Sequence, residues 1–242
     1  MAHQIRNFYV VGGGCFATQY TQWLLRSVKL NWLTFEKIIC VDKNPQCKVT
    51  KEIQDPRVQL ECAEWYDFFP QLIINHYQDA NAQQDHWIPS HMAPHILFHS
   101  FIKAIKLLEA IGSHQDIVSI SFQEPFHTPV RLELASGDMA VSFAEWRCPM
   151  NCIEPTRCPA IQDARTWEMR DTMQAHLQKT SFDSFHYLQC QHLCHAVGTI
   201  PMMQIYQEFE KLLNKIKNQK IESFAIATIS SCHGLISGAK IL

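Results

Sequence analysis

The sequence has no excess of either charge: 21 Lys and Arg stand against 23 Asp and Glu, for a net charge of −2. No stripe of basic residues runs along any segment, so there is no electrostatic case for a nucleic-acid partner. Charged residues make up 18% of the chain and hydrophobic ones 47%, the balance of an ordinary globular protein rather than a disordered one. No window of about 18 residues is apolar enough to span a bilayer. The nearest approach, 224–242, is interrupted by Cys232, His233 and Lys240, and reads as a buried strand with a short tail. Residues 1–6 lead straight into the first strand with too short an apolar run for a secretory leader, so a cytoplasmic location is expected. Internal repeats and low-complexity segments are missing, and no acid–base pair or nucleophile triad stands out.

The 242 residues suffice for one large domain or two small ones with a real core. Among them are 10 cysteines and 13 histidines. Without a secretory leader, such cysteines point to reduced thiols or metal ligands rather than to a disulfide framework.

The chain is organised around Phe8-Tyr9-Val10-Val11-Gly12-Gly13-Gly14-Cys15-Phe16-Ala17. This reads as a strand, a glycine turn and the start of a helix. A second strand, Lys37 to Val41, ends in Asp42. The pattern is that of a dinucleotide-binding βαβ unit. Gly12 permits the tight turn, Gly14 lets the backbone approach a pyrophosphate, and Ala17 lets the helix pack on the sheet. The free N–H groups and partial positive charge of the helix N-terminus suit phosphates. Asp42, 25 residues after Ala17, stands where an acid binds ribose hydroxyls. The candidate cofactor-binding residues are therefore Gly12, Gly13, Gly14, Cys15, Phe16, Ala17, Asp42 and Lys43. Lys43 suits a ribose or a 2′-phosphate, which leaves NAD and NADP both open. An S-adenosylmethionine site of methyltransferase type uses a similar turn and acid.

Further strands are expected at 58–62 and 86–89, and helices over 65–74 and from Pro94 to Ile102, Pro being well placed in a first turn. His95 and His99 lie four apart on that last helix, a spacing that can hold a metal. The glutamate of a metalloprotease motif is missing, and an ordinary helix face is expected. After residue 112 the pattern shifts to short alternating runs, with Ser136-Gly137-Asp138 as a hairpin turn. The expected fold is α/β: a Rossmann-like parallel sheet lobe over 1–112, then a smaller α+β portion over 113–242 with a Cys-rich loop.

That loop holds Cys148, Cys152 and Cys158, spaced C-x3-C-x5-C with prolines between and after them. Prolines bar a helix, so the thiols sit on a stiff irregular loop that can converge on one point. Thiolates are soft ligands for zinc or an iron–sulfur cluster. A tetrahedral site needs a fourth ligand. Cys232 is favoured over His233, with Cys190 and Cys194 further candidates that read better as core. A helix over 166–177, a strand over 185–190, an amphipathic helix over 201–216 and a final buried strand over 221–229 complete the chain.

Residues 7–47, through Val10-Val11-Gly12-Gly13-Gly14-Cys15-Phe16-Ala17 and Val41-Asp42-Lys43-Asn44-Pro45, resemble the nucleotide-binding domain of bacterial potassium-uptake regulators of the RCK or TrkA N-terminal type. The resemblance implies NAD(H) or ATP on a Rossmann fold and a sensing role. A looser likeness is to the dehydrogenase domain of sirohaem synthesis, which also opens with a triple glycine. Two functions are expected from these features. One is an NAD(P)-dependent oxidoreductase that pairs the cofactor with a cysteine-bound metal or iron–sulfur centre. The other is a regulatory nucleotide sensor with a structural zinc.

Overall fold

Short β-branched runs ended by Gly, Pro or Asp become strands, and stretches with apolar residues at helical spacing become helices. The computed structural model describes residues 3–79, 81–90, 93, 95–110, 115–122, 126–149, 151–219 and 221–242. In chain order the elements are β1 (Asn7–Val11), α1 (Cys15–Lys29), β2 (Lys37–Val41), α2 (Lys48–Glu52), β3 (Val58–Glu61), α3 (Trp65–His76), β4 (His86–Ile88) and α4 (Ile96–Leu107). There follow β5 (Ile117–Ile120), β6 (Val130–Glu133), β7 (Met139–Ser142), α5 (Met169–Leu177), β8 (Ser184–Gln189) and β9 (Gln191–Cys194). The chain ends with β10 (Val197–Pro201), α6 (Met202–Gln219), β11 (Ser223–Ile229) and β12 (His233–Ile241). The protein is mixed α/β. The expected helix start at Pro94 and the expected boundary at residue 112 lie outside the described residues.

The chain divides into two units. One comprises Met1–Ser100 and Gln191–Gln207, the other Phe101–Cys190 and Glu208–Leu242. The first holds a six-stranded sheet in the order β9-β10-β4-β1-β2-β3. β3, β2, β1 and β4 run parallel, with Val10 opposite Cys40 on one side and Ile88 on the other. β10 runs antiparallel to β4, and β9 antiparallel to β10. Because the central strands are covered on both faces, they read as continuous apolar runs. One face packs Phe8, Val10, Ile38 and Cys40 against Ala17, Tyr20 and Leu24 of α1, together with Cys194 and Val197 of the hairpin. On α3, Phe69 packs against Trp87 of β4 with ring centroids 3.9 Å apart and planes tilted by 41°. Phe8 and Leu24 are fully buried, each contributing about 2 kcal/mol by removal from water.

The second unit holds the strands β8-β11-β12-β7-β6 in that order, with β5 also paired to β12. β8 and β11 are parallel, and the remaining pairs are antiparallel. The expected hairpin forms from β6 and β7, and Gly137 takes φ +85° at its turn. One face carries α5, whose Met169, Met173 and Leu177 pack on Met139, Val141, Ala225, Ala227 and Ile236. β11 is not the last strand: residues 233–241 form β12, which lies between β11 and the β7 and β5 pairings. No helix among the described residues is long and apolar enough to cross a membrane.

Candidate functional site

The glycine turn stands at the carboxyl ends of β1 and β2. Gly12 takes φ +89°, a left-handed conformation that a side chain would strain, and donates its N–H to Val41 O at 2.8 Å. Gly13 donates to Asp42 Oδ2 at 2.7 Å, and Asn44 N donates to Asp42 Oδ1 at 2.9 Å. Asp42 therefore faces the turn, and each of its oxygens keeps a lone pair for a further donor. Gly13 is packed shut, since a Cβ there would lie 2.3 Å from Cys47 Sγ. Gly14 is the opposite case, with nothing within 4 Å of such an atom.

Gly14 is also the N-cap of α1, where no side chain caps the helix and no acid stands in the first turn. The first-turn N–H groups, lacking intrahelical partners, stand beside that open space. Ala17 is buried against the sheet, while Cys15 and Phe16 are exposed. Lys43 turns aside to pair with Glu64 at 3.0 Å, both side chains well exposed. From the opposite side Trp65 closes the turn. Its Nε1 donates to Val41 O at 2.6 Å, and its Cζ2 lies 3.3 Å from a Cβ built on Gly12. The structure thus brings Gly12 to Ala17 together with Asp42, and adds Trp65 and Cys47, which sequence reasoning missed because neither belongs to the glycine pattern.

The cysteine loop is assembled in the second unit. All ten cysteines are free thiols. Cys158 and Cys232 are buried, and Cys148 and Cys152 half-buried. Cys158 lies in a two-residue bridge, Arg157–Cys158 against Asp163–Ala164, so the loop is tied across its base. Its anchor is Glu154, whose carboxylate accepts from Ser230 Oγ and from Ser231 N, both at 2.7 Å. Glu154 takes φ +52°, and its N–H points to Cys152 Sγ at 3.3 Å. The anchor places the loop beside Cys232, which Trp167 Nε1 approaches at 3.3 Å. Phe143 and Trp146 flank Trp167, with ring centroids 5.8 and 5.9 Å from it.

Burial pushes the Cys148 thiol up, and Cys152, Cys158 and Glu154 add to the shift. Burial likewise raises Cys232 to about 11, against the Trp167 hydrogen bond and with Glu154 adding to it. Cys190, joined through its N–H to Ile229 O at 2.6 Å, is pushed up to about 12 by burial and then by Glu154. In all three the first cause is burial, which favours the neutral thiol, and Glu154 adds to each. Among the described residues, no three His, Cys, Asp or Glu side chains take up a metal-holding arrangement. Glu154 is the addition to the residues picked from sequence, while Cys190, a further candidate there, is brought under the influence of Glu154. The only local signal of Glu154 was its place in the Cys152-Ile153-Glu154-Pro155 run.

Residues 96–242, more than half of the chain, match the AF_1314_C family, described as "Uncharacterized protein, C-terminal domain". The chain belongs to that family. The AF_1314_C match takes in the whole cysteine loop, Glu154 and Cys232, and begins after the glycine turn and Asp42. No curated protein and no solved structure matches the chain.

One constellation in the AF_1314_C region has the connectivity of a hydrolase triad. Ser184 Oγ lies 2.9 Å from His186 Nε2, and His186 Nδ1 lies 3.0 Å from Glu208 Oε2. Ser184 is only 2% exposed and His186 1%. A nucleophile must reach its substrate, so this is a satisfied core histidine and not a reaction centre.

Proposed function

We propose that the protein binds a dinucleotide, NAD or NADP, at the Gly12–Ala17 turn and is an oxidoreductase with a cysteine-held centre. The observation that carries the reading is the uncapped N-terminus of α1 facing open space at Gly14, with Asp42 at the end of the adjacent strand. The strand order β3-β2-β1-β4, all parallel, supports it, being that of the first half of a Rossmann sheet. In this reading the first-turn N–H groups of α1 hold the pyrophosphate, and Asp42 accepts from the adenosine ribose hydroxyls. The nicotinamide would supply hydride chemistry. Asp42 and Glu64 together disfavour a 2′-phosphate, so NAD is the preferred form.

The donor set of Cys148, Cys152, Cys158 and Cys232 fits a soft ion, zinc or the iron of an iron–sulfur cluster. The Glu154 N–H meets Cys152, and Glu154 adds to the raised Cys148 and Cys232 thiols, which supports the assignment. The described side chains are not drawn around a common point, so loading would have to gather them and release protons. A cytoplasmic setting suits ten free thiols. The second reading, a nucleotide sensor with structural zinc, is favoured by Glu154, which already docks the loop through Ser230 and Ser231.

NADH fluorescence titration tests the nucleotide. Wild-type chain is expected to bind, and Gly14→Val to lose binding with an unchanged melting temperature, because its side chain fills only the ligand's space. Binding that survives Gly14→Val puts the pocket elsewhere. Anaerobic purification with metal analysis separates the two readings of the centre. A coloured, reducible iron–sulfur chain supports the oxidoreductase, and colourless zinc-loaded chain the sensor.

A further inference from the structure

We propose that Tyr66, His95 and His99 form a site for a divalent transition-metal ion, separate from the cysteine loop and independent of the nucleotide reading. All three residues belong to the first unit. The first turn of α3 is pinned to the glycine turn by Trp65, through its bond to Val41 O and its contact at Gly12. Tyr66 is the next residue, and its side chain is exposed.

His95 and His99 stand one helical turn apart, His99 N donating to His95 O at 3.2 Å. That spacing places both imidazoles on one face. Their ring centroids are 5.1 Å apart, with the planes at 89°. Tyr66 completes the group, its hydroxyl 3.2 Å from His95 Nε2 and its ring centroid 5.8 Å from that of His99.

The bland reading is a hydrogen-bonded aromatic cluster on a helix face. The separations suit a shared ion as well. Ligand atoms at about 2.0–2.1 Å from a tetrahedral ion stand about 3.3 Å from each other, and two imidazoles sharing that ion have ring centres about 5 Å apart. The observed spacings of 3.2 and 5.1 Å meet both conditions. The ion would replace the proton shared by the phenol and imidazole. Two imidazoles and a phenolate suit Zn²⁺, Ni²⁺, Cu²⁺ or Fe²⁺. Three protein ligands leave a fourth position for water or for a ligand's carbonyl or carboxylate oxygen, as in catalytic rather than structural sites. The sequence alone showed only a two-histidine pair, because the third donor comes from a different helix.

Cobalt titration of the full chain, stripped with chelator, tests the site. Cobalt on thiolates gives an intense near-ultraviolet charge-transfer band, whereas cobalt on imidazole and phenolate gives visible bands without it. Wild-type chain is expected to take up one cobalt of the second kind. His99→Ala should weaken that uptake at least about tenfold, and Tyr66→Phe should weaken it and shift the visible bands. Thiolate cobalt should be the same in all three. Tyr66 is exposed, so its variant is not expected to disturb the core, and circular dichroism checks the fold of both. Wild-type chain without the non-thiolate cobalt, or folded Tyr66→Phe and His99→Ala chains that bind it with wild-type affinity and spectrum, overturns the site. NADH binding is measured separately, so loss of the nucleotide reading does not count for or against the metal.

Discussion

Gly13 and Gly14 are neighbours with opposite constraints. A Cβ on Gly13 would stand 2.3 Å from Cys47 Sγ and 2.8 Å from Cys47 Cβ, against open space at Gly14. Gly13→Ala is accordingly expected to cost about 1–3 kcal/mol through overpacking, read as a lower urea midpoint. An unmoved midpoint would mean that the turn yields more easily than the contact implies. Asp85 carries a second residue-scale prediction. It is 1% exposed and accepts from Arg6 Nε and Nη2, at 2.8 and 2.6 Å, as well as from Asn7 N at 3.1 Å. Asp85→Ala leaves those donors unmatched beside β1, and a loss of about 3 kcal/mol is expected in equilibrium unfolding. A loss below about 1 kcal/mol would show that water reaches Arg6 freely. The turn at Gly12 and Asp42 at the end of the next strand were legible in the sequence because their positions follow from backbone geometry and strand order. Asp85 was not, since its partner lies 79 positions away.

At the scale of elements, the cysteine loop and the hairpin of β9 and β10 were read with different success. Prolines and thiol spacing announced the loop, yet its anchor did not show. Glu154 binds two consecutive residues of another segment, Ser230 and Ser231, and no local pattern encodes that pairing. Glu154→Ala is expected to undock the loop, with faster trypsin cleavage at Arg157 and a stability loss of about 1–3 kcal/mol. Cleavage at the wild-type rate would show that the short bridge at Arg157–Cys158 is anchor enough. The hairpin was missed because its turn has no glycine signal. His195 and Ala196 take φ of +43° and +63°, conformations that hairpin turns usually give to Asn or Gly. The packing supplies the reason: the His195 ring lies against Trp32 with centroids 4.8 Å apart, and Cys194 and Val197 join the core under α1. β12 was undervalued for a related reason. Gly238 reads as a tail residue, but a Cβ there would meet Phe182 at 2.8 Å and Ile120 O at 3.1 Å, so close approach requires glycine inside the strand.

Across the whole molecule, acid should weaken the fold through a few paired carboxylates. Arg57 hydrogen bonds hold Asp55 down at about 2. Burial works to raise Glu208, but hydrogen bonds from His186 and Lys211 outweigh it and leave it below its ordinary value. Folded values below the unfolded ones mean that the stability is present above the unfolded pKa and is lost as pH falls through the folded one. Urea midpoints should therefore drop from roughly pH 4 downwards, with Asp55 contributing on the order of 1 kcal/mol after screening by solvent. An Asp55→Asn chain with the wild-type slope between pH 4 and 2 would remove that pair from the account. The first sheet also needs residues from far along the chain, since β10 pairs with β4 and Thr199 Oγ1 lies 3.0 Å from His86 Nδ1. A fragment of residues 1–112 would bare the edge of β4, and is expected to aggregate rather than melt cooperatively; a sharp two-state transition would contradict this. By itself the sequence determined the α/β class, the strand–turn–helix at Gly12, the strand ending at Asp42 and the cysteine loop, because short-range sterics and the periods of apolar residues decide these. Only the tertiary structure decided that residues 191–207 return to the first sheet, that Glu154 docks the loop, and that Tyr66 meets His95 and His99. Each of those depends on which distant segments pair and pack, and burial rewards such pairing without leaving any local pattern of residues to announce it.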